Sequence, residues 1–452
     1  MSGIIEQPRF SCALAAQQTV AAIPNAHPIV HAGPGCSSKA HEFAGTGAGF
    51  QGEGFAGGAT VSCTNTSEQE VVFGGERKLE DTINGALKVL NGDLFVVLTG
   101  CTADIVGDDS IGVAKRFAAQ GYPVVGTETA GFKGNTYYGH NVVLREIINQ
   151  FVGNAEPNVD AKLVNVFSVV PFQDPYWRGD LIEIKKLLEK IGLKVNILFG
   201  SSSDGVSEWK NIPNAKFNLL ISPWVGLDAV KLLERKYKTP YLHYPVLPVG
   251  AKETSKFLRE VAEFAGIDKN TVEKVIANEE RIYYDYFLSK ADFIAEFRNS
   301  LPSELFTVAD STYAIGVSNY LVNELGFIPK GIYITDSPAD KYKEELNNIL
   351  VSKGEEFTDT LTIEYDGGLI QEDIKNKIER PEKTVILGSS WEKFLALDLK
   401  SKYVYLSLPL NETVIVNKSF VGYDGGLRLF EEVYGSVFKS SDSVVRGISG
   451  SR

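Results

Sequence analysis

The chain has 452 residues, 44% of them apolar and 23% charged, and carries a formal net charge of −12. That is ordinary globular composition, long enough for about three domains of roughly 150 residues each. The acidic balance argues against nucleic acid as the main partner, because phosphate binding asks for clustered Lys and Arg, and no stretch approaches the ~18 uninterrupted apolar residues of a membrane span.

The first residues, Met1 to Phe10, lack a basic start and an apolar run, so no secretory signal is read and a cytoplasmic protein is expected. Residues 93–98, Asp-Leu-Phe-Val-Val-Leu, form an apolar run closed by Thr99-Gly100, the pattern of a buried parallel strand. A helix is predicted over 109–120, then a turn at Gly121-Tyr122-Pro123 and a strand at Val124-Val125. The same rhythm recurs at 163–170, 181–191 and 195–199, and again at 217–222, 226–237 and 241–244. The charged stretch 251–300 reads as helical and as a link to a third set. That set has a strand at 305–308, a helix at 311–325 and strands at 331–335, 384–388 and 403–406. Segment 352–380 is rich in charge, weakly periodic and expected at the surface, and the Ser/Gly-rich tail 440–452 is expected to be mobile. The predicted fold is α/β: three Rossmann-like domains with helix-covered parallel sheets. In such sheets ligands sit beyond the carboxyl ends of the strands, and Cys101 follows one of those ends.

All four cysteines, Cys12, Cys36, Cys63 and Cys101, lie at this end of the chain, and none follows Cys101. A disulfide framework would spread them, so a thiolate site for metal or redox chemistry is the better reading. Their surroundings are small: Ser11-Cys12-Ala13, Gly33-Pro34-Gly35-Cys36 and Thr99-Gly100-Cys101-Thr102. Glycines such as Gly35 and Gly100 let backbone approach a bulky object closely, and an iron–sulfur cluster is such an object. Cys63, in a polar stretch, stands either as a fourth ligand or as a buried free thiol.

Other motifs carry less. Gly47-Ala48-Gly49-Phe50-Gln51-Gly52 and Gly52-Glu53-Gly54-Phe55-Ala56-Gly57 match the dinucleotide fingerprint but lack a strand before and a helix after, so they read as an adaptable loop. No P-loop occurs. Asp108 and Asp109 read first as carboxylates at a helix N-terminus, and only second as metal ligands. His31 and His41 flank Cys36, where a histidine either tunes sulfur by hydrogen bonding or is a satisfied structural residue.

Taken in order, several segments resemble component 1 of nitrogenase and its relatives. Ile29-Val30-His31-Ala32-Gly33-Pro34-Gly35-Cys36 resembles that family's cysteine loop, and Val71-Val72-Phe73-Gly74-Gly75-Glu76-Arg77-Lys78-Leu79 its next signature. The stretch Leu98-Thr99-Gly100-Cys101-Thr102-Ala103-Asp104-Ile105-Val106-Gly107-Asp108-Asp109 is the most specific match. Thr129-Ala130-Gly131-Phe132-Lys133-Gly134 and Val421-Gly422-Tyr423-Asp424-Gly425-Gly426 follow in place, the last being similar to β-type subunits.

The resemblance implies that Cys12, Cys36 and Cys101, with Gly35 and Gly100 beside them, hold an iron–sulfur cluster shared with an α-type subunit. The cluster would be an eight-iron, P-cluster-like group or a [4Fe-4S] cluster. Cys63 falls where some β-type subunits have a non-ligand cysteine. The implied domains are 1–155 with 420–452 packing back on it, 160–295 and 296–419. The implied partners are the α-type subunit, in an α2β2 assembly, and an ATP-hydrolysing iron–sulfur reductase that delivers low-potential electrons. No cysteine follows 101 and no histidine follows 243, so no catalytic residue is expected in this chain, and any catalytic iron–sulfur cofactor belongs to the partner. Gly131 stands where some β-type subunits supply a serine ligand, and glycine has no side-chain oxygen to give. The expected role is electron relay in a nitrogenase-like reductase. The alternatives are a cofactor-assembly scaffold or a related reductase acting on a tetrapyrrole or a carbon–sulfur bond. A solute-binding α/β protein would fit the element pattern but leave the clustered cysteines unexplained.

Overall fold

The structure, a computed structural model, describes residues 7–38, 47–49, 51 and 60–439. The glycine-rich stretch 52–57, His41 and the tail 440–452 lie outside the described residues. Three parallel sheets organise the chain.

The first sheet contains β1 (Ala26–His31), β2 (Ser62–Cys63), β3 (Leu94–Thr99) and β4 (Val124–Thr127), in the order β2-β1-β3-β4. Every residue of β3 is buried, as expected of an apolar run covered on both faces. Helix Glu76–Val89 presents Leu79 and Ile83, and helix Ser110–Ala119 presents Val113, Ala114 and Phe117, to a core shared with Ile29, Phe95 and Val97. Burying each of these larger side chains stabilises by about 1.5–3 kcal/mol. Asp109 caps the second helix by accepting from Gly112 N at 2.8 Å, the role its position predicted.

The second sheet contains β5 (Asp160–Phe167), β6 (Lys194–Asn196), β7 (Ala215–Leu220) and β8 (Tyr241–His243), in the order β6-β5-β7-β8. A buried row of asparagines crosses it. Asn196 donates to Asn165 Oδ1 at 2.8 Å, and Asn165 donates to Asn218 Oδ1 at 2.8 Å. These residues are direct cross-strand partners, so a one-residue slip in register would strand buried amides.

The third sheet contains β9 (Glu304–Ala309), β10 (Ile328–Ile334), β11 (Leu361–Ile363), β12 (Thr384–Gly388) and β13 (Lys402–Tyr405), in the order β11-β10-β9-β12-β13. In each sheet the earliest strand lies between two later ones, and the chain leaves it in opposite directions on its two sides. That is the topological switch point where α/β sheets place ligands.

Segment 352–380 is more than surface. It supplies β11 and helix Gly367–Lys377, whose Ile370 and Ile374 are buried in the third sheet's core. One apolar pair four residues apart, set among charges, is a weak signal for so definite a burial. The charged stretch 251–300 is helical, as expected: Gly250–Ala265, Lys269–Leu288 and Ala291–Phe297.

The chain divides into two compact units. One comprises 10–243 and 413–417 and carries the first two sheets. The other comprises, among the described residues, 7–9, 244–412 and 418–439, and carries the third. Residues 413–417 belong to the first sheets' unit and helix Gly422–Lys439 to the third sheet's. That helix packs Tyr423 on Tyr283, Phe430 on Phe287 and Tyr434 on Phe327, inside the third sheet's unit. No helix of the described residues is long and apolar enough to cross a membrane.

Candidate metal centre

The carboxyl ends of β1 and β3 form the floor of the site. His31 pairs with Thr99 in register, and the next residues, Ala32 and Gly100, pack together. A Cβ on Gly100 would lie 2.5 Å from Ala32 Cβ, so only glycine allows this approach. Gly100 precedes helix Cys101–Val106, which makes Cys101 the first helical residue beyond the β3 end. Its side chain is exposed.

Cys12 arrives from elsewhere in the sequence. It forms an antiparallel bridge with Asn135, and its neighbours are tied down around it. Ala13 N donates to Gly134 O at 2.9 Å, Thr136 N to Ser11 O at 3.0 Å, and Ser11 N to Thr136 Oγ1 at 3.0 Å. These bonds bring an exposed Cys12 to the turn Gly131–Lys133.

Gly131 is where the two thiols meet. A Cβ built there would lie 3.1 Å from Cys101 Sγ, 3.1 Å from Cys12 Cβ and 3.3 Å from Cys12 Sγ. The two sulfurs therefore flank the space a side chain would fill. Gly131 N donates to Cys101 Sγ at 3.2 Å, a backbone donor aimed at the sulfur. Lys133, two residues on, pairs with Asp104 at 2.6 Å and Glu128 at 2.7 Å, holding the turn against helix Cys101–Val106.

Cys36 lies in the helical turn after Gly33, with its N–H on Gly33 O at 3.3 Å, and is exposed. A Cβ on Gly35 would meet nothing within 4 Å, so the surface beside it is open. The structure thus brings Cys12 and Cys101 together. Among the described residues no group of three or more His, Cys, Asp or Glu could hold a metal ion by itself. Two exposed, converging thiols with a backbone donor fit a soft, thiolate-held iron–sulfur group whose remaining ligands come from outside this pair.

Cys63 behaves differently. Its thiol donates to Ala32 O at 3.4 Å and accepts from Asn65 N at 3.4 Å, and burial pushes its pKa up. A protonated thiol is what these contacts use.

His31 is fully buried and touches no sulfur. Nδ1 meets Thr64 Oγ1 at 3.1 Å and Nε2 meets Asp108 Oδ2 at 2.9 Å. Burial lowers its pKa, partly countered by the hydrogen bond it makes to the Asp108 carboxylate. Asp108 also accepts from Gly75 N at 2.8 Å, and a Cβ on Gly75 would strike both Asp108 and His31 at 2.8 Å. The Gly75 and Asp108 positions of the two sequence signatures are therefore one structural lock. His140 is buried against Thr19 Oγ1 at 2.9 Å, with its pKa lowered to about 3 by burial.

The sequence reading missed the apolar rim. Helices Glu68–Phe73 and Cys101–Val106 pack together and leave Val72, Phe73 and Ile105 69%, 82% and 75% exposed; Phe132, beside Gly131, is 62% exposed. Clustered exposure of this kind marks an interaction surface. The signal available in the sequence was an apolar triplet, Val71-Val72-Phe73, set outside any strand or core periodicity.

Comparison with known proteins supplies the family. The family described as nitrogenase component 1 type oxidoreductase matches residues 11–438. The chain is 25% identical over 394 residues to one of the subunits of the light-independent protochlorophyllide reductase of Angiopteris evecta, covering 83% of this chain and 73% of that protein. It is 23% identical over 400 residues to the nitrogenase molybdenum–iron protein beta chain of Clostridium pasteurianum, covering 83% and 82%. A solved structure titled nitrogenase Cp1 at pH 6.5 shares the fold, with a TM-score of 0.79 at 20% sequence identity over 97% of this chain and 94% of that one. The chain belongs to the nitrogenase component 1 type oxidoreductase family.

Proposed function

We propose that this member of the nitrogenase component 1 family is a β-type subunit that relays low-potential electrons through an iron–sulfur cluster at its interface with an α-type partner. The observation that carries the reading is the convergence of the Cys12 and Cys101 sulfurs on Gly131 at an exposed surface. Cys36, in the open loop after β1, would be the third ligand, and partner thiols would complete the set. A cluster held there would accept and pass on single electrons, with thiolate ligation favouring low potential. The chain's own part is to hold two thiols apart at one glycine, donate Gly131 N–H to Cys101, and present a glycine-lined surface for a partner to seal from water. The exposed Val72 and Phe73 on helix Glu68–Phe73, and Ile105 on the helix that begins at Cys101, suit docking of the ATP-hydrolysing reductase that supplies the electrons. The catalytic cofactor, if the complex has one, belongs to the α-type partner, in an α2β2 assembly in the cytoplasm.

A second reading, a reductase acting on a tetrapyrrole, draws support from one position. Gly131 offers no side-chain oxygen to a cluster, and the two cysteines already crowd the space a serine Cβ would need. That favours a smaller cluster held by thiolates alone.

The test is anaerobic co-purification of this chain with its native partner, unaltered and as Cys36→Ala, Cys101→Ala and Cys63→Ala variants. The first two variants should lose the visible absorbance of the cluster, and the third should keep it. Full iron content and activity in Cys36→Ala and Cys101→Ala would overturn the assignment.

A further inference from the structure

The turn that carries the Gly131 donor is fixed at both ends and clamped once in the middle. At its start Thr129 N donates to Thr99 Oγ1 at 3.1 Å and Thr129 Oγ1 donates to Thr99 O at 3.2 Å, which ties it to the end of β3. At its finish Gly134 O accepts from Ala13 N at 2.9 Å, beside Cys12. Between these points lie Gly131, Phe132 and Lys133. Gly131 has no side chain, and Phe132 is 62% exposed. Lys133 is the side chain that holds the middle. Its Nζ meets Asp104 Oδ2 at 2.6 Å and Glu128 Oε2 at 2.7 Å. The Asp104 side chain is 15% exposed and that of Glu128 60%, so the pair with Asp104 is the less screened of the two.

Asp104 stands three residues after Cys101 on helix Cys101–Val106, so the two share a helix face. The ion pair therefore fastens the two partners of one hydrogen bond to each other. Gly131 N–H sits on the turn, Cys101 Sγ sits on the helix, and they are 3.2 Å apart. A hydrogen bond to a cluster sulfur stabilises the reduced, more negative state and so raises the reduction potential. A higher potential makes the cluster a readier acceptor of the electrons a reductase delivers.

We propose that Lys133 is a positioning residue for the cluster: by clamping the turn Gly131–Lys133 to Asp104 it keeps the Gly131 N–H on Cys101 Sγ, and so holds the cluster's reduction potential up. The proposal rests on the cluster reading above. Its readout is a potential, so it fails separately from that reading, which is tested by iron. Charge and geometry separate by sign. Lys133→Met removes a cation and Asp104→Ala removes an anion. Acting through charge alone, the first lowers the potential and the second raises it. Acting through the hydrogen bond, both lower it, because both release the turn.

The experiment is a mediated redox titration of the anaerobically co-purified complex, followed by electron paramagnetic resonance, with iron measured on every sample. Lys133→Met and Asp104→Ala should both move the cluster's midpoint to lower potential at unchanged iron. Lys133→Arg, which keeps the charge and can reach the same carboxylate, should hold the midpoint of the unaltered chain. A midpoint that rises in Asp104→Ala would overturn the proposal by leaving Lys133 a charge effect alone. Unmoved midpoints in both variants at full iron would overturn it too. Loss of iron from Lys133→Met would also overturn it, since the clamp would then hold the ligands and not the potential. An unaltered complex without iron would remove the cluster reading and this proposal together.

Discussion

The first and third sheets share a switch point at their earliest strand and end their strands in opposite ways. At the carboxyl ends of β1 and β3 the chain places exposed thiols, glycines and an apolar rim. At the carboxyl ends of β9, β10 and β12 it places charged and hydroxyl groups and buries them. Asp310 caps its helix through Thr312 N at 2.9 Å and Tyr313 N at 3.2 Å, and Asp336 accepts from Ser311 Oγ at 2.6 Å. Arg9 reaches in to bind Glu392, with Oε2 at 2.7 Å, and Ser389 Oγ at 2.8 Å, while lying over the Trp391 ring. Ser407 Oγ closes on Val308 O at 2.6 Å. The switch point of a parallel sheet is an opportunity for a ligand, and side-chain chemistry decides whether it is used. Where donors and acceptors satisfy one another, the site is closed. Where two sulfurs face outward around a glycine, it waits for something.

That contrast can be broken most forcefully at Arg9. Arg9→Met leaves Glu392 buried and ionised without its partner, a change that costs about 3–5 kcal/mol. The urea midpoint of the transition that reports the third sheet should fall accordingly. Iron content should persist, because Cys12 is held through the bonds of its neighbours Ser11 and Ala13 to Thr136 and Gly134. Loss of iron with Arg9→Met would show that the closed end is not purely structural.

Asp310 sharpens the contrast more gently. Burial, and then the neighbouring Asp336, push its carboxyl well above the usual range. A carboxyl raised on folding holds its proton in the native state at pH values where the unfolded chain has released it. Its contribution is therefore complete in acid, below the unfolded value, and is lost as the pH rises through the native one, with a slope of at most about 1.4 kcal/mol per pH unit. Asn caps as well as Asp. Asp310→Asn should match the unaltered chain in acid and unfold at higher urea in alkaline buffer. A midpoint difference that does not change with pH would contradict a protonated Asp310.

Much of this was legible in sequence because it is local. The apolar run at 93–98 and four of the five strands of the third sheet announced themselves by their apolar runs, β11 excepted, and Asp109 by its place before a helix. β1 did not, since Ala26-His27-Pro28-Ile29-Val30-His31 interrupts its apolar residues with two histidines and a proline. The thiol end of the sequence was legible as well, through the crowding of cysteines before residue 102. The geometry of the site was not. It depends on residues 11–13 pairing with 134–136 and on Gly131 fitting between two sulfurs, and both bring in Cys12 or its neighbours from more than a hundred residues away. His31 and Asp108 likewise read as separate features and turned out to be one hydrogen-bonded pair. Exposure of Phe73 and Ile105 could not be read either, because an apolar residue at a helical position looks the same whether it faces a core or a partner.

The measurement that bears most directly on the account is the iron content of the anaerobically co-purified complex, read with electron paramagnetic resonance and with molybdenum and vanadium analysis. An interfacial cluster predicts about four to eight irons per αβ pair beyond any cofactor of the partner, with the lower figure favouring tetrapyrrole reduction and the higher an eight-iron relay. An anaerobic complex that contains no iron would contradict the central claim.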